Sequence, residues 1–144
     1  MLFRSGESLV SVLLNTSSSG SVSFAAKQDF ETGTYAYSVA MGDIDGDGKI
    51  DLAVVNRSAG SVSVLRNTSG HGLNFAAKVD YLTGSFPVSV SIGDLDGDGK
   101  PDLVVVNSNS DNVSVFHNNS SSGSISFAAK ADITVGAEIG RAHV

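Results

Sequence analysis

The chain has 144 residues, 16 of them glycine, and carries 15 acidic against 9 basic side chains for a formal net charge of −6. A hydrophobic fraction of 41% with only 17% charged residues argues against disorder, and the length allows about one domain with a modest core. Zero cysteine removes disulfide frameworks, thiolate zinc sites and thiol catalysis; the scattered bases make a poor surface for nucleic acid; no run of about 18 apolar residues offers a membrane span.

Taken in chain order, the segments repeat. Residues 10–15 (VSVLLN) return as 62–67 (VSVLRN) and 113–118 (VSVFHN), and residues 24–27 (FAAK) return as 75–78 and 127–130 at offsets of 51 and 52. Between the first two units lies an apolar run, 37–42, that enters an acidic turn, 43–52 (DIDGDGKIDL); its counterparts are 88–93 and 94–103 (DLDGDGKPDL). Three independent markers keep one period, so the chain is a tandem repeat.

Each unit reads as short strands. Residues 51–56 (DLAVVN) and 102–107 (DLVVVN) have the β-branched density of strands buried on both faces, while Ser and Val alternate over 62–65 with the period of two of a half-buried strand. Turns such as 15–20 (NTSSSG) and 118–123 (NNSSSG) then lead to strands carrying FAAK. No segment holds a 3.6-residue apolar period, so helix should be nearly absent.

Four short strands in about 50 residues is the size of one propeller blade. WD40 blades are shorter and this chain has no tryptophan; the Gly-Gly pair of kelch units is missing as well. The combination of FAAK strands, VSVLLN strands and D-x-D-G-D-G-x-x-D-L loops resembles the FG-GAP/VCBS repeats, the type also found in integrin α-chain propellers, over about residues 9–137. The resemblance implies a β-propeller whose blades each hold a calcium ion in the loop between their first two strands. The expected fold is all-β, a partial β-propeller of tandem four-stranded blades with calcium loops. Residues 9–30 form the last strands of a truncated blade, and 35–79 and 87–133 are complete blades, each with a calcium loop. After Gly136 the repeat fails abruptly, and residues 138–144 (EIGRAHV) resemble the translation of a sequencing adapter, so they are set outside the fold.

In the first acidic loop, Asp43, Asp45, Asp47 and Asp51 fall at the first, third, fifth and ninth positions. Alternate spacing over a tight turn lets the first three side chains converge, Gly48 permits the bend, and Lys49 offers its backbone oxygen while Asp51 closes the far side. The second loop repeats the set with Asp94, Asp96, Asp98, the Lys100 carbonyl and Asp102, with Gly99 as hinge. All donors are oxygen, which suits a hard cation, and calcium accepts such a flexible cage more readily than magnesium does. The expected cofactor is therefore Ca2+ at two sites. An EF-hand needs Glu at its twelfth position, where this chain has Val54 and Val105. The plain alternative is an Asp/Gly turn that only ends a strand. Two copies at equivalent repeat positions, each crowding four carboxylates, weigh against it, because their mutual repulsion costs stability without a cation. Eight of the 15 acids lie in these loops.

His71 and His117 read as surface polar residues, and no Ser/His/Asp constellation can be assembled, so no enzyme activity is expected. Phe24, Phe75 and Phe127 are expected to pack between blades; Tyr35, Tyr37 and Tyr81 are candidate rim contacts for a sugar if they gather on one face. The N-x-[ST] sequons at Asn15, Asn56, Asn67, Asn112, Asn118 and Asn119 follow from a composition rich in Asn and Ser. Together these features point to a calcium-binding repeat module of an extracellular or cell-surface binding or adhesion protein, the ion structural and recognition carried by loops on a propeller face. The alternative is an accessory or lectin-like propeller domain of a secreted enzyme. Millimolar extracellular calcium would fill even weak loops, which favours export; residues 1–10 show no secretory signal, so that reading takes the chain as truncated. The expected partners are a protein or carbohydrate ligand and neighbouring blades, drawn from further sequence or from self-association.

Overall fold

The computed structural model describes residues 7–136; the run 138–144 and His143 lie outside them. Among the described residues there are ten strands and no helix: β1 (Leu9–Val12), β2 (Gln28–Glu31), β3 (Ala36–Gly42), β4 (Asp51–Asn56), β5 (Ser61–Leu65), β6 (Val79–Leu82), β7 (Pro87–Gly93), β8 (Asp102–Asn107), β9 (Asn112–Phe116) and β10 (Ala131–Thr134). They form three antiparallel sheets: a pair β1-β2, and two four-stranded sheets ordered β3-β4-β5-β6 and β7-β8-β9-β10. Within each sheet consecutive strands are neighbours, as short loops between antiparallel strands require, while the β2–β3 and β6–β7 links pass from one sheet to the next.

The β-branched strands take the middle of each sheet, and every residue of β4 and β5 is buried. Alternation divides their side chains between two seams. Leu52, Val54 and Leu65 face the two-stranded sheet and pack with Val10, Val12 and Phe30. Ala53, Val55, Val62 and Val64 face the other way and pack with Val90, Leu103, Val105 and Phe116 of the next sheet. Leu103, Val105 and Phe116 are the repeat counterparts of Leu52, Val54 and Leu65, so the second seam repeats the first. At the same edge of the stack β3 runs against β7. An added Cβ at Gly42 would lie 3.0 Å from Ile92 Cγ2, so the backbone at the end of β3 approaches β7 closely.

The FAAK segments depart from expectation. They are not strands: each contributes one isolated bridge, Asn15 with Phe24, Asn67 with Phe75 and Asn118 with Phe127, and the strand begins only after the lysine. Val12 pairs with Gln28 while Asn15 pairs with Phe24, so four residue steps on one chain face three on the other. The extra residue is a β-bulge, repeated in all three units, that breaks the ladder at Ala-Ala-Lys. Phe75 packs edge-on against Phe30 at 5.0 Å, and Phe127 against Tyr81 at 5.2 Å, while Phe24 is 52% exposed. The tyrosines do not gather on one face. Tyr81 lies in the second seam, and Tyr37 sits under the Arg57 guanidinium.

Candidate metal centres

Each acidic loop runs from the strand that starts a four-stranded sheet, β3 or β7, to the buried strand beside it. Gly46 and Gly48 take φ of 72° and 84°, and Gly97 and Gly99 take 81° and 86°, a left-handed region that side chains resist. These bends turn backbone N–H groups inward onto the carboxylates. Asp43 accepts the N–H of Asp47 on Oδ1 at 3.1 Å and that of Gly48 on Oδ2 at 2.9 Å. Asp51, at the start of β4, accepts from Ile44 at 2.9 Å and from Asn67 at 2.7 Å, which locks the loop to both β4 and the turn after β5.

The result is that carboxylate oxygens of Asp43, Asp45 and Asp51 lie within 4.8 Å of one another. Asp47 is turned aside: Lys49 Nζ lies 3.0 Å from its Oδ2, and the Lys49 N–H donates to its Oδ1. The Lys49 bonds hold the Asp47 carboxyl below the usual carboxylate range. Asp51 is shifted the opposite way. Burial pushes its pKa up against the two backbone donors, and the charges of Asp45 and Asp47 add to the rise.

In the second loop Asp94, Asp96 and Asp98 gather, and Asp94 accepts from Gly97 at 2.7 Å and Gly99 at 3.0 Å. Asp102 accepts from Leu95 and Asn118, as Asp51 does from Ile44 and Asn67. His117 joins this site: its Nδ1 lies 3.2 Å from Asp96 Oδ2 and 3.4 Å from Asp102 Oδ1. The sequence offered a sign of this, since His117 stands where the preceding unit has Arg66, a basic residue that also bears on its acidic loop by helping to lower Asp47. Lys100 donates its N–H to Asp98 at 2.8 Å, as Lys49 does to Asp47.

A second group was hidden behind turn chemistry. Asn56 and Asn107, the last residues of β4 and β8, are fully buried and donate to Ser63 and Ser114 at 2.8 Å; those hydroxyls donate in turn to Asp80 and Asp132 at 2.6 Å, and each aspartate pairs with Lys78 or Lys130. Ser11, Asp29 and Lys27 repeat the outer part of the chain of bonds. These residues tie the third and fourth strands of each unit together. Their recurrence in every unit was the available signal.

Tandem antiparallel four-stranded sheets stacked face to face, each with an acidic loop after its first strand, define a propeller-type repeat protein. The comparisons agree: the FG-GAP-like repeat model matches residues 1–54 and 43–105, and the FG-GAP repeat model matches residues 86–127. The chain belongs to the FG-GAP repeat family. No curated protein and no solved structure matches it.

Proposed function

We propose that this chain is a calcium-binding propeller repeat module of an extracellular binding or adhesion protein, in which the ions serve structure and the chain itself catalyses nothing. The observation that carries the reading is the meeting of Asp43, Asp45 and Asp51, two of them buried, on one short loop. Three carboxylates so close repel one another, and desolvation adds to that cost; a divalent cation offsets both. The donor set fits the ion. The first loop offers oxygen alone: Asp43, Asp45 and Asp51 already meet, and Asp47, which would have to leave Lys49, together with the Lys49 carbonyl and water would bring the set toward the roughly six to eight oxygens that calcium takes. In the second loop Asp94, Asp96 and Asp98 would supply the core of the set, with Asp102, which meets Asp96 and His117, and the Lys100 carbonyl completing it.

Because each loop joins the first strand of a sheet to its buried second strand, an ion held there fastens the sheet at one end. A ligand that binds only the folded chain at about 100 times its Kd adds about 2.7 kcal/mol per site. Millimolar calcium outside cells suits loops of this kind, which supports the extracellular reading. Recognition by loops is supported by a cleft of about 480 Å3 where the two acidic loops meet residues 120–122, lined by Asp45, Gly46, Lys100 and Ser121. A sugar site built from all three tyrosines is not supported, since Tyr81 lies in the second seam and Tyr37 under Arg57.

Thermal unfolding tests the proposal. The midpoint should rise by several degrees when calcium replaces a chelator, and magnesium at equal concentration should produce much less. A midpoint indifferent to calcium contradicts it.

A further inference from the structure

The two ends of the described stack are complementary, and the seam inside the chain shows how they fit. Residues 118–123 reach back across that seam: Asn118 Nδ2 donates to the Ile44 carbonyl at 2.8 Å, and the Gly123 N–H donates to Asp45 Oδ2 at 3.0 Å. Beside this hook, Ile125 and Phe127 pack on the apolar cluster that holds Ile44 and Tyr81.

Residues 15–20 form the same hook. Asn15 accepts from Ser17 as Asn118 accepts from Ser120. Ser18 bridges Ser21 as Ser121 bridges Ser124, Thr16 N–H meets the Ser23 carbonyl as Asn119 N–H meets that of Ser126, and Gly20 takes φ of 80° against 85° at Gly123. Yet its apolar neighbours are bare: Val22 and Phe24, the counterparts of Ile125 and Phe127, are 82% and 52% exposed. At the other end the receiving half is bare as well. Leu95 and Ile133, the counterparts of Ile44 and Tyr81, are 57% and 53% exposed, whereas Ile44 is 1% exposed. Asp96, the counterpart of Asp45, is exposed; its Oδ2 faces His117 and has a lone pair left for a further donor.

We infer that the outer face of the β7–β10 sheet binds the residue 15–24 hook of a second copy of this chain, head to tail. Phe24 of that copy covers Ile133, its Gly20 N–H meets Asp96, and its Asn15 amide meets the Leu95 carbonyl. The contact repeats the hook part of the seam inside the chain, without the β7 and β8 contacts that the two-stranded first sheet does not offer. An interface of this kind is heterologous, and it grows into rings or filaments instead of stopping at a symmetric dimer.

Sedimentation velocity on the whole chain over a range of concentrations tests this. Wild type should form species larger than dimers, while Phe24→Glu and Ile133→Lys, each with one end blocked, should both be monomeric alone. Mixed in equal amounts they should form a single 1:1 complex, because each supplies the intact end that the other lacks. Circular dichroism showing the wild-type β signal in both variants confirms that they fold, as expected for half-exposed positions. A wild type that stays monomeric throughout overturns the inference and leaves the face to another partner. Folded variants that do not combine, or that oligomerise singly, overturn it too.

Discussion

The backbone N–H of Gly123 donates to Asp45 Oδ2 across 78 residues of sequence, so the second four-stranded unit caps the acidic loop of the first. Asp45 is 5% exposed as a result, while the side chain of Asp96, its repeat counterpart, is 51% exposed. The two loops are nearly identical in sequence and unequal in structure. Calcium should therefore leave the first loop more slowly than the second. Stopped-flow release into a fluorescent chelator should show two phases, with Asp45→Asn removing the slow one and Asp96→Asn the fast one; a single phase removed equally by both contradicts the capping.

Asn118 connects the same two units. Its amide donates to the Ile44 and Pro101 carbonyls and its Oδ1 accepts from Ser120, all in a fully buried position. Asn118→Ala strands those groups, and a buried polar group without a partner costs about 1–3 kcal/mol. The urea midpoint should fall accordingly, and calcium should leave the first loop faster although Asn118 is not among its proposed ligands. Unchanged release with lowered stability would confine Asn118 to a packing role.

Gly33 faces the buried Asn56 so closely that an added Cβ would lie 2.6 Å from its Cγ; at Gly84 the same contact to Asn107 is 2.9 Å. The asparagine cannot yield without breaking its bonds to Ser61 and Ser63. Overpacking of this kind costs about 1–3 kcal/mol, so Gly33→Ala should lower the urea midpoint clearly. Gly70→Ala, where no atom lies within 4 Å, should leave it nearly unchanged. Equal effects at the two positions contradict the packing argument.

Much of this was legible because the chain repeats. The offsets of 51 and 52 located every unit, and the apolar runs at 51–56 and 102–107 coincide with β4 and β8 to the residue. FAAK misled because its apolar character matches a strand, whereas the bulge that interrupts it is set by register with a partner chain segment, which composition does not encode. The left-handed turns at Tyr35 and Phe86, φ 62° and 53°, carried no glycine to announce them. His117 was missed for a related reason. Its one sign in the sequence is a basic counterpart, Arg66, in the preceding unit, and only the fold brings it beside Asp96 and Asp102. The cap on Asp45 depends on a contact between units that no single repeat contains.

Asp132 accepts from Ser114 and pairs with Lys130, and these bonds, the lysine's first, hold its carboxyl below the usual range. A carboxylate depressed in the fold stabilises it above the unfolded pKa of about 3.9, and that contribution is lost as the pH falls through the lower folded value. With its side chain 37% exposed the pair is solvent-screened, and its contribution should stay within about 1 kcal/mol. In metal-free protein, Asp132→Asn should be less stable than wild type near neutrality, and the gap should close below about pH 4. A gap that persists in acid contradicts the assignment.

Calcium binding by the two loops is best tested by titration calorimetry on the whole chain. Wild type should bind two ions, and the Asp45→Asn, Asp96→Asn double variant should lose most of the heat while keeping its β-sheet signal. Binding that is unchanged in the double variant, or absent from folded wild type, contradicts the account.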